Sequence, residues 1–454
     1  MKAIFTFFIF TFFTIGSNFA QVKQSATDKA TINRLMNKGI ETFHAGRTNE
    51  ALETFKRVES MDPENWKLNY WMATCHYDLN SYYTAESYIN NAKQFLKENE
   101  EGDAEFHELI GKINHRLGNV ENAANGYKKA AILMGDKMAK EFGIKQAIEQ
   151  CEWALRAAKN GEKNIRQPLS IQINSLEDEY APMVYNKGAH LFFTARRPET
   201  TGENLNPDDL RYFEDMYHAV FNPTTGDYDI DYAFFQNLNT NGFDALSHVN
   251  AEGTFALLTI NTSASSEKTT KSSDIFEITS DSALVWESMN LVKGKGINTD
   301  FFEGSATATN GCETGDFIVF ISDRKADVTG LDMYTATRSD GAYGTATALP
   351  KPLNTEGNET TPFLSPDGKY LFFSSDQLPG FGGYDVFYSM NTDGKWSDPI
   401  NLGAAINTVN DDTHFRVDMN TKKAYFASLA EKENFFSYDL FTADLTLLDF
   451  PFTK

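Results

Sequence analysis

Apolar positions along the chain follow two different periods, and the change falls near residue 165. From residue 27 to 160 they recur at helical spacing in stretches rich in Ala, Glu, Lys, Asn and Leu, with a single proline. Beyond residue 165 they come as short runs, HLFFTA, FALLTI, FIVFIS, YLFFSS and AYFASL, between clusters of turn formers. Such runs predict strands. The segment Lys159-Asn160-Gly161-Glu162-Lys163-Asn164 separates the two regimes, and its glycine is a helix stop. The pattern predicts a multidomain chain, with an α-helical domain over 27–160 and an all-β domain over 165–454.

The helical part repeats. Small and apolar residues recur as Gly39, Gly46, Ala51, Phe55, Val58 and Pro63, then as Ala73, Asn80, Ala85, Ile89 and Ala92, then as Gly111, Gly118, Ala123, Tyr127 and Ala130. Steps of 34 and 38 residues separate Gly46, Asn80 and Gly118. This spacing resembles the tetratricopeptide repeat (TPR), whose small residues let two antiparallel helices approach closely, and implies an α-solenoid of three repeats. Residues 136–160 are expected to follow as a capping helix, because a solenoid end needs a polar outer face.

The resemblance also implies a concave groove lined by the first helix of each repeat. By position that face holds Met36, Ile40, Phe43 and His44, then Tyr70, Thr74 and Tyr77, then Glu108, Lys112, His115 and Arg116. The Lys and Asn residues of the family's clamp for a C-terminal carboxylate are absent at most of these places. A mixed aromatic and polar groove suits a peptide or protein segment; the alternative is that the aromatics pack against neighbouring helices.

The second part repeats at a longer period. A triplet of Asp, apolar residue and aromatic recurs as Asp215-Met216-Tyr217, Asp274-Ile275-Phe276, Asp332-Met333-Tyr334, Asp385-Val386-Phe387 and Asp439-Leu440-Phe441, in steps of 59, 58, 53 and 54 residues. Asn174, Asn239, Asn298, Asn354 and Asn407, each followed by Ser or Thr, keep phase with it. Units of three or four strands at this spacing suggest the blades of a propeller. In the fourth unit, Pro366-Asp367-Gly368 and Thr392-Asp393-Gly394 read as hairpin turns. That unit resembles the WD40-like PD40 repeat of TolB-like propellers, named for its SPDG turn; the other units keep the Asp strand without the turn.

Five Asp strands imply a five-bladed β-propeller. Too few residues follow Asp439-Leu440-Phe441 for an outer strand of the Pro399-Ile400-Asn401-Leu402 type. Leu169-Ser170-Ile171-Gln172-Ile173-Asn174, ahead of the first blade, has that character. A strand over 167–174 is therefore expected to complete the fifth blade and close the ring.

Candidate chemistry is sparse. No G-x-S-x-G elbow, H-E-x-x-H helix or phosphate-cradling glycine loop occurs, and the eight histidines are scattered. No catalytic residue, cofactor or metal is expected. The repeated aspartates read as turn or strand-end caps, since catalytic groups are usually unique. Asp227, Asp229 and Asp231 alternate as on a solvated edge strand, with a calcium loop as the alternative. Cys75, Cys151 and Cys312 read as small buried hydrophobes, with a Cys75–Cys151 bridge as the alternative. Two insertions interrupt the strands. The one from Arg196 to Asp215, with Arg196, Arg197, Arg211, Tyr212 and Phe213, is the expected partner-contact loop; the Ser/Thr-rich one from Asn261 to Asp274 is expected to be flexible.

Charge and targeting place the chain. Lys2 and a run of apolar residues ending at SNFAQ form a signal-peptide pattern over 1–20, with cleavage after Ala20 and export to the periplasm expected; the alternative is an uncleaved anchor. The first cysteine is Cys75, so no lipid anchor is expected. The chain holds 41 Lys plus Arg against 63 Asp plus Glu, for a net charge of −22, which argues against nucleic acid. Residues 21–165 carry 20 basic and 21 acidic groups, whereas residues 166–454 carry 20 and 42, so the excess belongs to the β domain. A partner steered to the propeller by charge should present a basic surface.

Signal, repeats and PD40 blades together resemble PorE-like envelope proteins of the Bacteroidota, associated with type IX secretion and gliding motility. Members of that group continue into a carboxypeptidase-regulatory-like domain and an OmpA-like domain and are lipidated; neither feature is present here, so membrane association is expected only through partners. The resemblance implies a non-enzymatic scaffold or accessory protein bound to other envelope proteins in an outer-membrane complex. The alternative is a glycan- or peptide-binding or processing propeller.

Overall fold

The computed structural model describes residues 25–96, 102–207, 209–264, 272–309, 315–324, 330–339 and 341–453. The signal segment 1–20, most of the second insertion and Cys312 lie outside these residues.

Helix starts follow local chemistry. Ser25 and Asp28 form a reciprocal capping box on α1 (Ala26–His44), Asn65 accepts from Lys67 and Leu68 at the start of α3 (Trp66–Asp78), and Asp103 accepts from Phe106 at the start of α5 (Ala104–Arg116). Each pairs with the helix after it: α2 (Thr48–Glu59), α4 (Tyr82–Phe95) and α6 (Val120–Met134). The recurring small residues sit at the closest approach. A Cβ on Gly39 would lie 2.4 Å from the Phe55 ring, and one on Gly111 2.6 Å from the Tyr127 ring. Ala73 packs in one cluster with Ile89.

The end of the solenoid departs from a single capping helix. It is two helices, α7 (Asp136–Glu141) and α8 (Ile144–Asn160), broken at Gly143, which takes φ 72°. Its outer surface is not wholly polar: Met138 and Phe142 are 48% and 60% exposed. Cys75 and Cys151 are free thiols buried in separate clusters, so the alternative of a bridge is not realised. Burial pushes both up to about 12.

Five antiparallel sheets follow. The first strand of each (Glu179–Tyr185, Phe243–Val249, Glu303–Ala308, Glu359–Leu364 and Asp412–Asp418) lies next to the first strands of neighbouring sheets around a central axis. The apolar runs form the second strands and the Asp triplets open the third in four blades, whereas in the fifth Asp439 lies inside the strand Phe436–Asp444; the second strands are buried almost throughout. Asp227–Asp231 is the outer edge strand of the first blade. The SPDG segment is a hairpin turn: Gly368 N–H donates to Ser365 O at 2.8 Å with φ +70°, and Ser365 Oγ donates to Asp367.

The repeated asparagines explain why the two triplets keep phase. Asn239 Oδ1 accepts from Met216 N–H while its Nδ2 donates to Met216 O, so one amide grips both backbone groups of the residue after the blade's Asp. Asn298 holds Ile275, Asn354 holds Met333 and Asn407 holds Val386 in the same way. Asn174 holds Leu440, across 266 residues of chain, and that clasp belongs to ring closure.

Closure differs from the strand expected over 167–174. Only Gln167 and Pro168 pair with the last strand, Phe436–Asp444, in the register Gln167–Thr442 and Pro168–Phe441. Residues 169–174 then turn, because Asn174 must face back toward Leu440; Ile173 and Asn174 N–H both donate to Ser170 O.

Candidate protein-binding surfaces

The groove positions do not share one open surface. Met36 is buried in the first helical cluster, Ile40 and Phe43 pack against it, and Phe43 and the exposed His44 both meet Trp71 edge-on. Tyr70 packs on Phe106, and Thr74 donates to Tyr70 O. Lys112 pairs with Glu108 within α5 at 2.5 Å.

Tyr77, His115 and Arg116 lie against the propeller. His115 Nε2 lies 2.9 Å from Phe381 O; a carbonyl only accepts, so this nitrogen carries the proton. Burial pushes the His115 pKa down to about 4, which keeps the ring neutral. Arg116 Nη1 donates to Asp411 Oδ1 at 3.0 Å, and the same carboxylate accepts from Tyr384 N–H and the Tyr438 hydroxyl. Tyr82 and Phe436 meet at 4.8 Å between centroids, Phe436 N–H donates to Asn80 O, and Gln146 of α8 donates to Asp376 O. The turns and helix ends at one rim of the solenoid are thus seated on loops of the fourth and fifth blades.

Gly383 makes that seat sensitive. It takes φ +65°, and a Cβ there would lie 2.2 Å from Asp411 Oδ1 and 2.8 Å from Arg116 Nη1. Gly383→Ala is expected to cost about 1–3 kcal/mol and to speed trypsin cleavage at the exposed Lys159–Asn164 junction. An unchanged cleavage rate in limited proteolysis would show that the seat tolerates the methyl group.

The insertion predicted to contact partners turns its side chains inward. Arg196 makes a fork on Asp209 at 2.7 and 3.0 Å and donates to Tyr212 O. Arg197 is buried on Glu179 and Ile173 O, between the Phe193 and Tyr217 rings. Arg211 pairs with Asp178 at 2.6 Å, and Phe213 is fully buried edge-on to Phe243. Internal carboxylates satisfy these cations, and Asp209 O also accepts from Asn49 of α2.

Sequence reasoning missed a further repeated group. Five residues after each asparagine stands an acid, Glu179, Asp244, Glu303, Glu359 or Asp412, and none has exposed surface. Each accepts from the backbone N–H of the Ser or Thr following the asparagine. The pattern N-[ST]-x-x-x-[DE] would have found it. Arginines neutralise three of these acids: Arg197 on Glu179, Arg324 on Glu303 and Arg166 on Asp412. Among the described residues Asp244 has no such partner, and burial raises its pKa to about 7 despite the hydrogen bonds from Thr240.

That raised value has a sign. The folded state binds the Asp244 proton more tightly than the unfolded chain, so its contribution to stability is lost as pH rises toward 7. Asp244→Asn is expected to gain in melting temperature relative to the parent as pH goes from about 4 to about 8. A constant difference across that range would refute the assignment.

At the propeller's axis, residues of all five blades line a cavity of about 680 Å³. Tyr180, Phe302, Tyr384 and Tyr438 give it rings, Thr360 and Thr413 hydroxyls, and Asp178, Glu214 and Asp323 carboxylates. The first strands bulge beside it: Ala181, Ser305, Thr361 and His414 take φ near +50° at equivalent positions in four blades.

Comparison with known proteins adds the following. The family model for regulator of microtubule dynamics protein 1-3 matches residues 28–118. No curated protein sequence matches the chain. Among solved structures, it is similar to the first TPR domain of human RPAP3, at 22% identity over 28% of this chain and 95% of that one, with a TM-score of 0.25. It is also similar to the Yersinia enterocolitica type III secretion chaperone SycD in complex with a peptide of the translocator YopD (14% identity, 28% and 97% covered, TM-score 0.25). A third likeness is the C-terminal part of a TPR repeat-containing protein from Cytophaga hutchinsonii (19%, 27% and 45%, TM-score 0.23). By its own geometry, the chain is a TPR-like helical solenoid seated on a five-bladed β-propeller.

Proposed function

We propose that this chain is a non-enzymatic scaffold that binds other proteins, exported to the periplasm and working in an outer-membrane secretion or gliding-motility complex of the type IX kind. The observation that supports it is the seat itself. Arg116, Asp411, His115 and Phe436 join the two modules, so partners bound to solenoid and propeller would be held in fixed relation. The export pattern and the acidic propeller support the location and a basic partner. The test is a pull-down from envelope extracts with the tagged full chain. Co-purification of an outer-membrane secretion or motility component is expected, with capture weakening as salt is raised. Recovery of no such component overturns the reading.

The axial cavity favours a second reading, a propeller that binds or processes glycans or peptides, because it combines rings with carboxylates. Turnover of peptidoglycan or glycan fragments by the purified chain would decide for it.

A further inference from the structure

The repeated aspartates meet different counterparts, and in the first blade the counterpart is missing. In the fifth blade, Lys432 Nζ donates to the Asp439 carboxylate and, at 2.8 Å, to Ser175 O, just after the clasping Asn174. A lysine of the chain itself fills that position. In the fourth blade, Asp385 Oδ2 accepts from the N–H groups of Phe381 and Gly382, and the loop seals over it: a Cβ on Gly380 would lie 1.9 Å from that oxygen. In the first blade, Asp215 Oδ2 accepts from the Thr201 N–H and hydroxyl at 2.7 and 2.8 Å. Oδ1 of both Asp385 and Asp215 is buried with no hydrogen-bond partner, but only around Asp215 does the fold leave room. Its polar neighbours are Thr200 and Asn239, and the Asn239 amide is engaged by Met216.

Asp215 borders a cavity of about 330 Å³ beside the first blade. Asp215 and Tyr217, 4% and 5% exposed, form its floor, and the Tyr217 hydroxyl also has no partner. Glu199, Tyr232 and Gln236 form an exposed rim, with Asp231 half-buried among them. Among the described residues, no Lys or Arg lines this cavity or forms an ion pair with Glu199, Asp215 or Asp231. Arg197 lies over the Tyr217 ring, but it is engaged by Glu179 and Ile173 O. Asp231 lies 3.4 Å from His218, whose pKa burial pulls down to about 4, so that ring is neutral. Three carboxylates thus share one concavity without a cation, where buried charge is ordinarily paired. Burial accordingly raises the Asp215 pKa despite the bonds from Thr201.

We propose that this cavity binds an alkylammonium group, which takes in the first blade the place Lys432 takes in the fifth. The charge meets the Asp215 carboxylate between Glu199 and Asp231, and the methylene stem lies against Tyr232. That ring, 62% exposed and edge-on to Tyr217 at 6.3 Å, offers apolar surface to a stem and a π face to a cation. A lysine side chain of a protein segment and a free amine carry the same chemistry. The site does not depend on the scaffold reading, since it uses only residues of the first blade.

The test titrates the full chain by calorimetry with the peptide N-acetyl-Ala-Lys-Ala-amide and with n-pentylamine, each beside the form acetylated on its amine. At least one amine is expected to bind, with its acetylated form weaker by roughly tenfold or more. Binding of the peptide alone would identify a protein-segment site, and binding of pentylamine alone a small-amine site. Asp215→Asn keeps the shape without the charge and is expected to abolish amine binding. Glu199→Gln, on the exposed rim, is expected to weaken it roughly threefold, which decides the matter if the Asp215 variant does not fold. Asp229→Asn changes an acid of the same blade that bonds Asn222 outside the cavity, and is expected to leave binding unaltered. The proposal fails if neither amine binds, if acetylation makes no difference, or if Asp229→Asn weakens binding as much as Glu199→Gln does. Binding of calcium chloride that depends on Asp215, with neither amine bound, would make this a metal site and would also end it.

Discussion

Arg166→Ala is expected to destabilise the propeller by about 3–5 kcal/mol, although residue 166 lies ahead of the first strand of the β domain. Its guanidinium lies 2.8 Å from Asp412 Oδ1, with side-chain exposures of only 8% and 0%. It also sits 4.4 Å from the centroid of the Phe441 ring and donates to Ile406 O. Removing it leaves a carboxylate that burial already pushes toward the protonated form, with the Thr408 N–H and hydroxyl as its remaining donors. The folded state of the variant would bind the Asp412 proton more tightly than the unfolded chain. The loss should therefore be smallest near pH 4 and grow toward pH 8. Chemical denaturation at both values measures it, and Asp412→Asn on the same background should restore part of the loss. A cost below about 1 kcal/mol at pH 8 would mean the pair is better hydrated than its burial indicates.

Asn174→Ala should be the second most damaging change, at about 2–4 kcal/mol. It strips both backbone groups of Leu440 of their side-chain partner at the seam where two paired residues join the first and last parts of the propeller. Asn298→Ala removes the same chemistry from Ile275 within a continuous stretch of chain, so it is the matched control. The seam variant is expected to melt lower than the control. Equal melting points would show that closure rests on packing around Ile173 and Leu440 rather than on the clasp.

These contrasts show which parts of the molecule are legible in the chain itself. The blades are, because the clasp needs an asparagine at one place and a strand at another, and selection of both leaves two periodic marks in phase. The ring of buried acids left a mark as well, but it alternates between Asp and Glu and is visible only once Asn174 and its counterparts have a structural meaning. The seat between the domains is not legible. His115 and Arg116 occupy positions that line a groove in an isolated solenoid, and nothing local distinguishes them from groove residues. Their partners, Phe381 and Asp411, lie some 266 and 295 residues away. The insertion misled for a related reason. Arginines in a long polar loop read as solvent-facing, whereas Arg196, Arg197 and Arg211 each find an acid inside the fold.

The short closing strand also imposes an order of events on synthesis. Gln167, Pro168 and Asn174 leave the ribosome ahead of every blade, yet their partners in the last strand follow 266 residues behind Asn174. At ordinary elongation rates the interval is ~13–50 s. Through it, the first blade stands with its neighbour missing and the Asn174 amide without Leu440, a window in which a chaperone would meet an open ring.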